Sequence, residues 1–197
     1  MNDHSNIKIV EPESLLKKVN KKPYLFQELV SWIKIFISCI IIVLLLQRFV
    51  LMSAEVHGRS MYPTLEDGER VILWSLLYQP NHFDIIIMEH FTGDNYVKRI
   101  IGLEGDHVKY VDGQLYLNNR PVEEPQIFDA STGQDFTLQE ICQFNQCDEI
   151  PVGYLLVLGD NRNNSEDSRN FGLVHESQLK GRVIFRYWPF TRIGMLH

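Results

Sequence analysis

Short apolar runs separated by turn-forming residues decide the fold of this chain. Two neighbouring runs read FDIIIM at residues 83–88 and YVKRII at residues 96–101. Runs of the same kind occur at residues 70–74, 154–158 and 182–188. Apolar runs of this length, bounded by turn formers, are typical of β-strands, whereas helical periodicity in this part of the chain is weak. The sequence therefore predicts a mainly β domain.

The middle of this domain is less regular. The stretch YVDGQLYL at residues 110–117 predicts a tight hairpin, because Asp112 and Gly113 can adopt the positive φ values of a two-residue turn. The other residues between 107 and 151 carry no strong strand pattern. We therefore expect a small irregular insertion at residues 107–151.

A long apolar segment precedes the β domain. Residues 35–46 contain no charged side chain, and apolar neighbours extend the stretch to the ~20 residues that a helix needs to cross a bilayer. The segment is apolar on every side and the remaining chain is too short to enclose it, which disfavours a buried core helix. We therefore predict a transmembrane helix at residues 31–51.

The charges beside this segment predict its orientation. Five lysines lie close to its N-terminal end and two arginines follow it. The positive-inside rule then predicts a cytoplasmic segment at residues 1–30 and an extracytoplasmic domain at residues 52–197. A cleaved signal peptide is the competing interpretation, but Met52 stands where a cleavage site after Ala54 needs a small residue.

The composition excludes other classes of protein. Nineteen Lys and Arg against 25 Asp and Glu give a net charge of −6, so we expect no nucleic-acid partner. Cys142 and Cys147 bracket four residues, and a local disulfide and two free thiols remain equally open. Two thiols without a nearby histidine are too few ligands for zinc, so we expect neither a metal nor another cofactor.

The loop around Ser60 is conformationally restricted. Pro63 fixes its own φ and biases Tyr62 away from helix, and a turn follows at residues 67–68. Such a loop can hold the Ser60 hydroxyl in one orientation, but a serine becomes a nucleophile only beside a base. From this loop alone, an ordinary surface serine remains the favoured interpretation.

Lys98 is the strongest candidate for that base, since none of the seven histidines lies in a triad-like setting. In a strand, Lys98 and Arg99 point to opposite faces, and both faces carry apolar residues. At least one of the two cations therefore lies against apolar surface, where burial lowers a lysine pKa by up to about 3 to 5 units. A side chain that reaches water is the competing interpretation, which the alternation alone favours.

A polar loop at residues 159–172 follows the apolar run at 154–158. Its composition is typical of a solvated loop. Its charges nevertheless alternate in sign, and we expect them to form a network that fixes the loop; they are Asp160, Arg162, Asp167 and Arg169. Ser165 or Ser168 would then hydrogen-bond the amine of Lys98.

Together these blocks resemble the type I signal peptidases, the membrane-bound Ser-Lys peptidases that remove signal peptides from exported proteins. SMYPTL at residues 60–65 is similar to the family's S-M-x-P-T-L, and KRIIGLEGD at 98–106 to its K-R-x-x-G-x-x-G-D. GDNRNNSEDSR at 159–169 is similar to G-D-N-R-x-N-S-x-D-S-R. The resemblance covers most of residues 30–190 and implies a signal-peptidase-like β catalytic domain with a variable insertion.

The resemblance assigns a role to each matching residue. Ser60 would be the nucleophile, Lys98 the general base and Ser165 the hydroxyl that positions the lysine amine. The four charged residues of the polar loop would support the site. The walls of shallow pockets for small substrate residues would be Met61, Tyr96 and Val97.

One position departs from the family pattern. Gly58 stands where some members have a serine that donates a hydrogen bond to the oxyanion. We therefore expect the backbone N–H of Ser60, helped by another backbone group or a water near Gly58, to stabilise the developing charge.

The resemblance also implies partners and a location. Signal peptides of secreted preproteins would bind extended beside Lys98, as an added edge strand. The protein would be a single-pass protein of the bacterial cell membrane with a cytoplasmic N-terminus, in contact with the lipid bilayer and with the secretion translocon. Ser60 lies nine residues beyond the predicted span, which keeps it within about 30 Å of the membrane. Where they are exposed, four apolar residues would contact the membrane interface, with core packing as the favoured role for some of them; they are Trp74, Leu76, Leu77 and Tyr78.

Two other functions compete with this one. A self-cleaving repressor of related Ser-Lys chemistry would need a DNA-binding helix pair where the predicted span lies. A catalytically silent or specialised membrane-tethered module for pilus or surface-protein assembly would share the fold, but the presence of both Ser60 and Lys98 argues against a silent one.

Overall fold

The computed structural model of the protein describes residues 21–49, 51–125, 135–142 and 147–196. Two compact units divide the chain between residues 44 and 45. Most of the N-terminal helix lies in the first unit, and all the described strands lie in the second.

Helix α1 (Lys21–Phe49) includes one stretch, Phe26–Leu44, that is long and apolar enough to cross a membrane. Large apolar side chains in this stretch are exposed; Trp32 and Phe36 are each 67% exposed. The helix begins ten residues before the predicted span and ends two residues before its predicted end. Residues 1–20 of the predicted cytoplasmic segment lie outside the described residues.

The second unit is built mainly of strands, which confirms the predicted mainly β class. Its strands are β1 (Leu51–Glu55), β2 (Arg70–Trp74), β3 (Ile85–Glu89), β4 (Asn95–Gly102), β5 (Val108–Val111), β6 (Gln114–Leu117), β7 (Arg120–Val122), β8 (Phe136–Thr137), β9 (Tyr154–Leu158), β10 (Val174–His175), β11 (Leu179–Trp188) and β12 (Gly194–Met195). Its two short α-helices are α2 (Leu138–Ile141) and α3 (Ser168–Phe171).

The larger sheet has the order β1-β2-β11-β3-β4-β9-β10, with β12 paired to β11, and its strand pairs are antiparallel. All five apolar runs that predicted strands form strands here. Leu51 corrects the predicted end of the apolar helix, because it begins β1 and pairs with Trp74 of β2. Pairing with β2 gives backbone N–H and C=O groups of residues 51–55 hydrogen-bond partners.

Central strands β3 and β9 are buried along residues 85–88 and 155–158. A strand that is covered on both faces needs a continuous apolar run, which explains why neither run alternates with polar residues. Burial of each such side chain contributes about 1.5–3 kcal/mol to stability. These two strands flank β4, so the core fixes the strand that carries Lys98.

The insertion is more regular than predicted. It contains a four-stranded sheet with the order β7-β6-β5-β8. The predicted hairpin is confirmed between β5 and β6, where φ is 51° at Asp112 and 77° at Gly113. Tyr110 and Leu115 from this hairpin are buried in one cluster with Leu158 of β9. An apolar face shared with the larger sheet therefore orders the insertion, and the weak strand pattern there did not reveal it.

The two cysteines of the insertion are joined. Cys142 and Cys147 form a disulfide, and their Cα atoms lie 6.1 Å apart. Of the two alternatives that the sequence left open, the structure therefore has the disulfide. The intervening residues 143–146 lie outside the described part of the chain.

Candidate active site

Ser60 and Lys98 lie side by side, although 38 positions separate them in the sequence. Ser60 is in the turn that follows β1, and Lys98 is in the middle of β4. The distance from Lys98 Nζ to Ser60 Oγ is 3.0 Å. This is hydrogen-bond distance, so the amine can take the hydroxyl proton directly if it is unprotonated.

The surroundings of Lys98 favour the unprotonated amine. The residue is only 3% exposed, and Nζ lies 5.2 Å from the centre of the Tyr96 ring. Burial lowers the Lys98 pKa to about 8, against the opposing effect of the carboxylates of Asp167, Glu166 and Asp160. Desolvation is the dominant cause because a buried ammonium loses its hydration.

Arg99, the next residue in β4, differs from Lys98 in having a carboxylate partner. Its guanidinium donates from Nε to Asp160 Oδ1 at 2.8 Å and from Nη2 to Asp160 Oδ2 at 2.7 Å. Both side chains are 1% exposed, and the Thr64 hydroxyl donates to the same carboxylate at 2.5 Å. Both adjacent cations are thus buried, but only Arg99 has a bidentate carboxylate partner. That difference leaves Lys98 as the group that can give up its proton.

The charges of the polar loop are paired, but not all with one another. Asp167 binds Arg169 through both carboxylate oxygens, and its Oδ2 also accepts the backbone N–H of Gly159 at 3.0 Å. The predicted network among the four loop charges does not include the side-chain charges of Asp160 and Arg162. Asp160 binds Arg99, and Arg162 binds Glu124. Both partners are distant in sequence, so the alternation of charge within the loop does not reveal them.

The polar loop also holds the loop that carries Ser60. The backbone N–H of Asn161 donates to the Ser60 carbonyl at 2.9 Å. The side-chain amide of Asn161 donates to the Arg59 carbonyl at 3.1 Å. Ser60 is therefore fixed by the hydrogen bonds that Asn161 donates to the carbonyls of residues 59 and 60, in addition to the restriction from Pro63.

Gly159 permits this close approach. A Cβ atom at this position would lie 2.5 Å from the Ser60 carbonyl oxygen and 2.6 Å from Ser165 Cβ. Atoms at such distances overlap, so a larger residue would separate the two loops.

We expect Gly159→Ala to lower kcat about 100-fold, because a displacement of about 1 Å at the reacting atoms has a cost of that size. Steady-state cleavage of a preprotein, the substrate that the family resemblance implies, measures the change. Gly194→Ala is the matched control, because a Cβ there meets no atom within 4 Å, the backbone is not left-handed, and the residue lies outside the cleft. Equal activity of the two variants would contradict the close-approach argument.

Ser165 differs from its expected position. Its Oγ is buried and, among the described residues, has no hydrogen-bond partner. The expected hydrogen bond to Lys98 Nζ is therefore not formed in this structure. The other candidate, Ser168, is occupied elsewhere, since its Oγ accepts the backbone N–H of Val157 at 3.0 Å.

The loop that carries Ser60 has a backbone donor that none of the described residues engages. The N–H of Gly58 donates to Asp67 Oδ1 at 2.7 Å, so it is not available to a substrate. The N–H of Ser60 has no acceptor among the described residues. Gly58 has a φ of 83°, a left-handed conformation that disfavours residues with a side chain.

A cleft of about 740 Å³ opens over Ser60 and Lys98. Strand β1 forms one side, and residues 94–98 form the other. Tyr96 and Val97 line this cleft as expected, but Met61 does not. The Met61 side chain is 1% exposed and packs in the core with Leu65 and Val71.

Two unpaired strand edges face this region. Strand β9 pairs with β4 only from Arg99 onward, so residues 95–98 of β4 pair on one side with β3 and have no second partner among the described strands. Strand β1 ends the sheet order and pairs only with β2 in the described part. Exposed edges of this kind bind extended peptides by adding a strand.

Comparisons with known proteins bear on the family of this chain. The family model described as "Signal peptidase, peptidase S26" matches residues 29–188. A signal peptidase I of Bacillus caldolyticus is 41% identical over 163 residues, which cover 78% of this chain and 88% of that protein. The chain belongs to the type I signal peptidase family.

Other members of the type I signal peptidase family are similar as well. Signal peptidase IB of Staphylococcus aureus strain Mu50 is 37% identical over 177 residues, which cover 84% of this chain and 92% of that protein. A crystal structure of a signal peptidase I from Enterococcus faecalis V583 matches with a TM-score of 0.49 and 37% identity, covering 53% of this chain and 97% of that one. The sequence matches confirm the predicted class, a serine endopeptidase of the signal peptidase I type.

Proposed function

We propose that this chain cleaves signal peptides from exported preproteins with Ser60 as nucleophile and Lys98 as general base. One observation carries the assignment: Nζ and Oγ lie 3.0 Å apart, and the amine is buried. Family membership indicates the class of reaction, and the contact between Nζ and Oγ supports Lys98 and Ser60 as the residues that carry it out. No metal or cofactor is needed for the steps that follow.

Cleavage proceeds in two steps. Neutral Lys98 takes the Ser60 proton while Oγ attacks the scissile carbonyl, and the protonated amine then gives its proton to the leaving amine. The ester that forms between Ser60 and the signal peptide is next attacked by water, which Lys98 deprotonates. Ser60 leaves as the hydroxyl and the lysine amine is neutral again.

The backbone N–H of Ser60 is the proposed oxyanion donor. This N–H has no acceptor among the described residues. Because it belongs to the residue that attacks, it lies close to the carbonyl oxygen on which negative charge develops and can donate a hydrogen bond to it. Gly58 contributes by its conformation, since its own N–H is engaged by Asp67.

The substrate lies extended in the cleft between β1 and β4. Its backbone pairs with residues 95–98, which offer an unpaired strand edge beside Lys98. Tyr96 and Val97 line the cleft beside Lys98, and we expect them to form the walls of shallow pockets for small side chains next to the cleaved bond. Met61 supports these walls from the core and does not line them.

The proposed topology follows from the apolar helix. Stretch Phe26–Leu44 spans the bilayer, the N-terminus is cytoplasmic, and residues 52–197 lie outside, where preproteins emerge from the translocon. Alkaline phosphatase fused to the C-terminus tests this topology, because alkaline phosphatase folds only in an oxidising compartment. Activity of the fusion supports the topology, and its absence in a stable fusion contradicts it.

Activity is expected to depend on the ionisation of Lys98. With its pKa lowered to about 8 by burial, the amine is protonated and inactive below that pH and neutral above it. We therefore expect kcat/KM to fall about tenfold for each pH unit below 8 and to level off above it. A pH–rate profile measures this, and an acid limb near about 6.5 would indicate a histidine base instead.

Cleavage of a preprotein by the full-length, detergent-solubilised protein tests the function itself. The mass of the mature product identifies the cut bond. Cleavage at a single site after a small residue supports the proposal. Intact preprotein, or cuts at many unrelated sites, would contradict it.

A further inference from the structure

We propose that Glu124, in the insertion, is a positioning residue for the Ser60–Lys98 pair and acts through Arg162. This inference rests on the proposed function above. Glu124 lies two residues beyond β7, outside the sequence blocks that carry the resemblance to the family. Its carboxylate forms an ion pair with the Arg162 guanidinium, and the two side chains are 3% and 2% exposed.

Arg162 is held on several sides. Its Nε donates to the Gly159 carbonyl at 3.0 Å, while both terminal nitrogens bind the Glu124 carboxylate. Its guanidinium lies 5.4 Å from the centre of the Tyr110 ring, and its own carbonyl accepts from Arg169 Nη2 at 2.8 Å. The carboxylate of Glu124 therefore fixes the Arg162 guanidinium, which in turn donates a hydrogen bond to the Gly159 carbonyl.

Gly159 carries this constraint to the nucleophile. It packs so tightly on the Ser60 carbonyl that no Cβ fits between them. Two residues later, the Asn161 N–H donates to the same carbonyl. A shift of the loop at Gly159 would therefore move Ser60 relative to Lys98.

The charge of Glu124 is central to this arrangement. Burial of a cation without its counter-charge is strongly unfavourable. Without the Glu124 carboxylate, the Arg162 side chain is therefore expected to leave its position and become solvated. The Gly159 carbonyl would then lose its donor. Lys98 keeps its place in β4, and the distance between the two reacting atoms would change.

The first experiment is Glu124→Gln in the full-length enzyme, which keeps the shape of the side chain and removes its charge. We expect kcat per folded molecule to fall at least about tenfold, with KM changed less than about threefold, since the substrate edges of the cleft remain in place. Glu123→Gln is the matched control, because Glu123 is the exposed neighbour. Unchanged kcat in Glu124→Gln would overturn the proposal.

A double variant separates positioning from stability. Glu124→Gln combined with Arg162→Gln removes both buried charges, so we expect Tm to recover relative to the single variant while kcat stays low. Recovery of kcat together with Tm would show a purely structural ion pair and overturn the proposal. A double variant that does not fold would overturn it too, because the pair would then serve the fold itself.

Ser60→Ala in the same assay keeps the two proposals distinguishable. If Ser60→Ala abolishes cleavage and Glu124→Gln does not affect it, only the role of Glu124 fails. If Ser60→Ala still cleaves, the proposed Ser-Lys mechanism fails regardless of Glu124.

Discussion

Replacement of Lys98 by Met, or of Ser60 by Ala, is expected to lower kcat for preprotein cleavage about 10⁴-fold or more. Each change removes one member of a pair that acts as a unit, and such losses are large and do not add. The double variant should therefore be no worse than either single one. Single-turnover cleavage with the detergent-solubilised enzyme measures all three.

Lys98→Met also tests whether the loss is chemical. Methionine has nearly the shape of lysine and no charge, and Lys98 is 3% exposed, so the variant should keep or raise the Tm of the enzyme. A stable, inactive Lys98→Met protein supports a base. A stable variant that retains more than about one hundredth of the wild-type kcat would contradict it.

Loss of the buried counter-charge of Arg99 is expected to have the largest effect on stability. Asp160→Asn should lower the free energy of unfolding by about 3–5 kcal/mol, because Arg99 would remain buried without a carboxylate. Urea unfolding of the variant, followed by near-UV circular dichroism, measures the difference.

Glu89→Gln is the control for this experiment. It breaks an ion pair with Lys180 in which the Glu89 side chain is 52% exposed, and exposed pairs contribute at most about 1 kcal/mol. Equal destabilisation by Asp160→Asn and Glu89→Gln would show that the Arg99–Asp160 pair is not an important support of the site.

Local pattern was sufficient for most of the fold. Apolar runs predicted five strands of the larger sheet, and Asp112-Gly113 predicted the hairpin of the insertion. Strand β1 was missed because Leu51 continues the apolar segment, and hydropathy cannot separate the last turn of a helix from the first residue of a strand. Only the pairing with β2, a partner about twenty residues away, determines that change.

The site was predictable where single residues carry the chemistry, and less so where partners matter. The restricted loop and the apolar strand made Ser60 and Lys98 candidates, but these patterns alone favoured an ordinary surface serine and a solvated lysine. The resemblance to the family assigned the two roles. The partners of Asp160 and Arg162 lie in β4 and in the insertion, and the sequence offered no signal for Glu124. An arginine within an apolar strand was a usable signal for Arg99, since a buried guanidinium needs a carboxylate.

The most direct test of the central claim is a titration of the Lys98 amine itself. NMR of the enzyme with isotope-labelled lysine, assigned by comparison with Lys98→Met, reports the protonation of this one side chain. We expect a midpoint at about 8 that coincides with the acid limb of kcat/KM. A midpoint near 10.5, the ordinary value for lysine, would contradict the claim that burial prepares Lys98 as the base for Ser60.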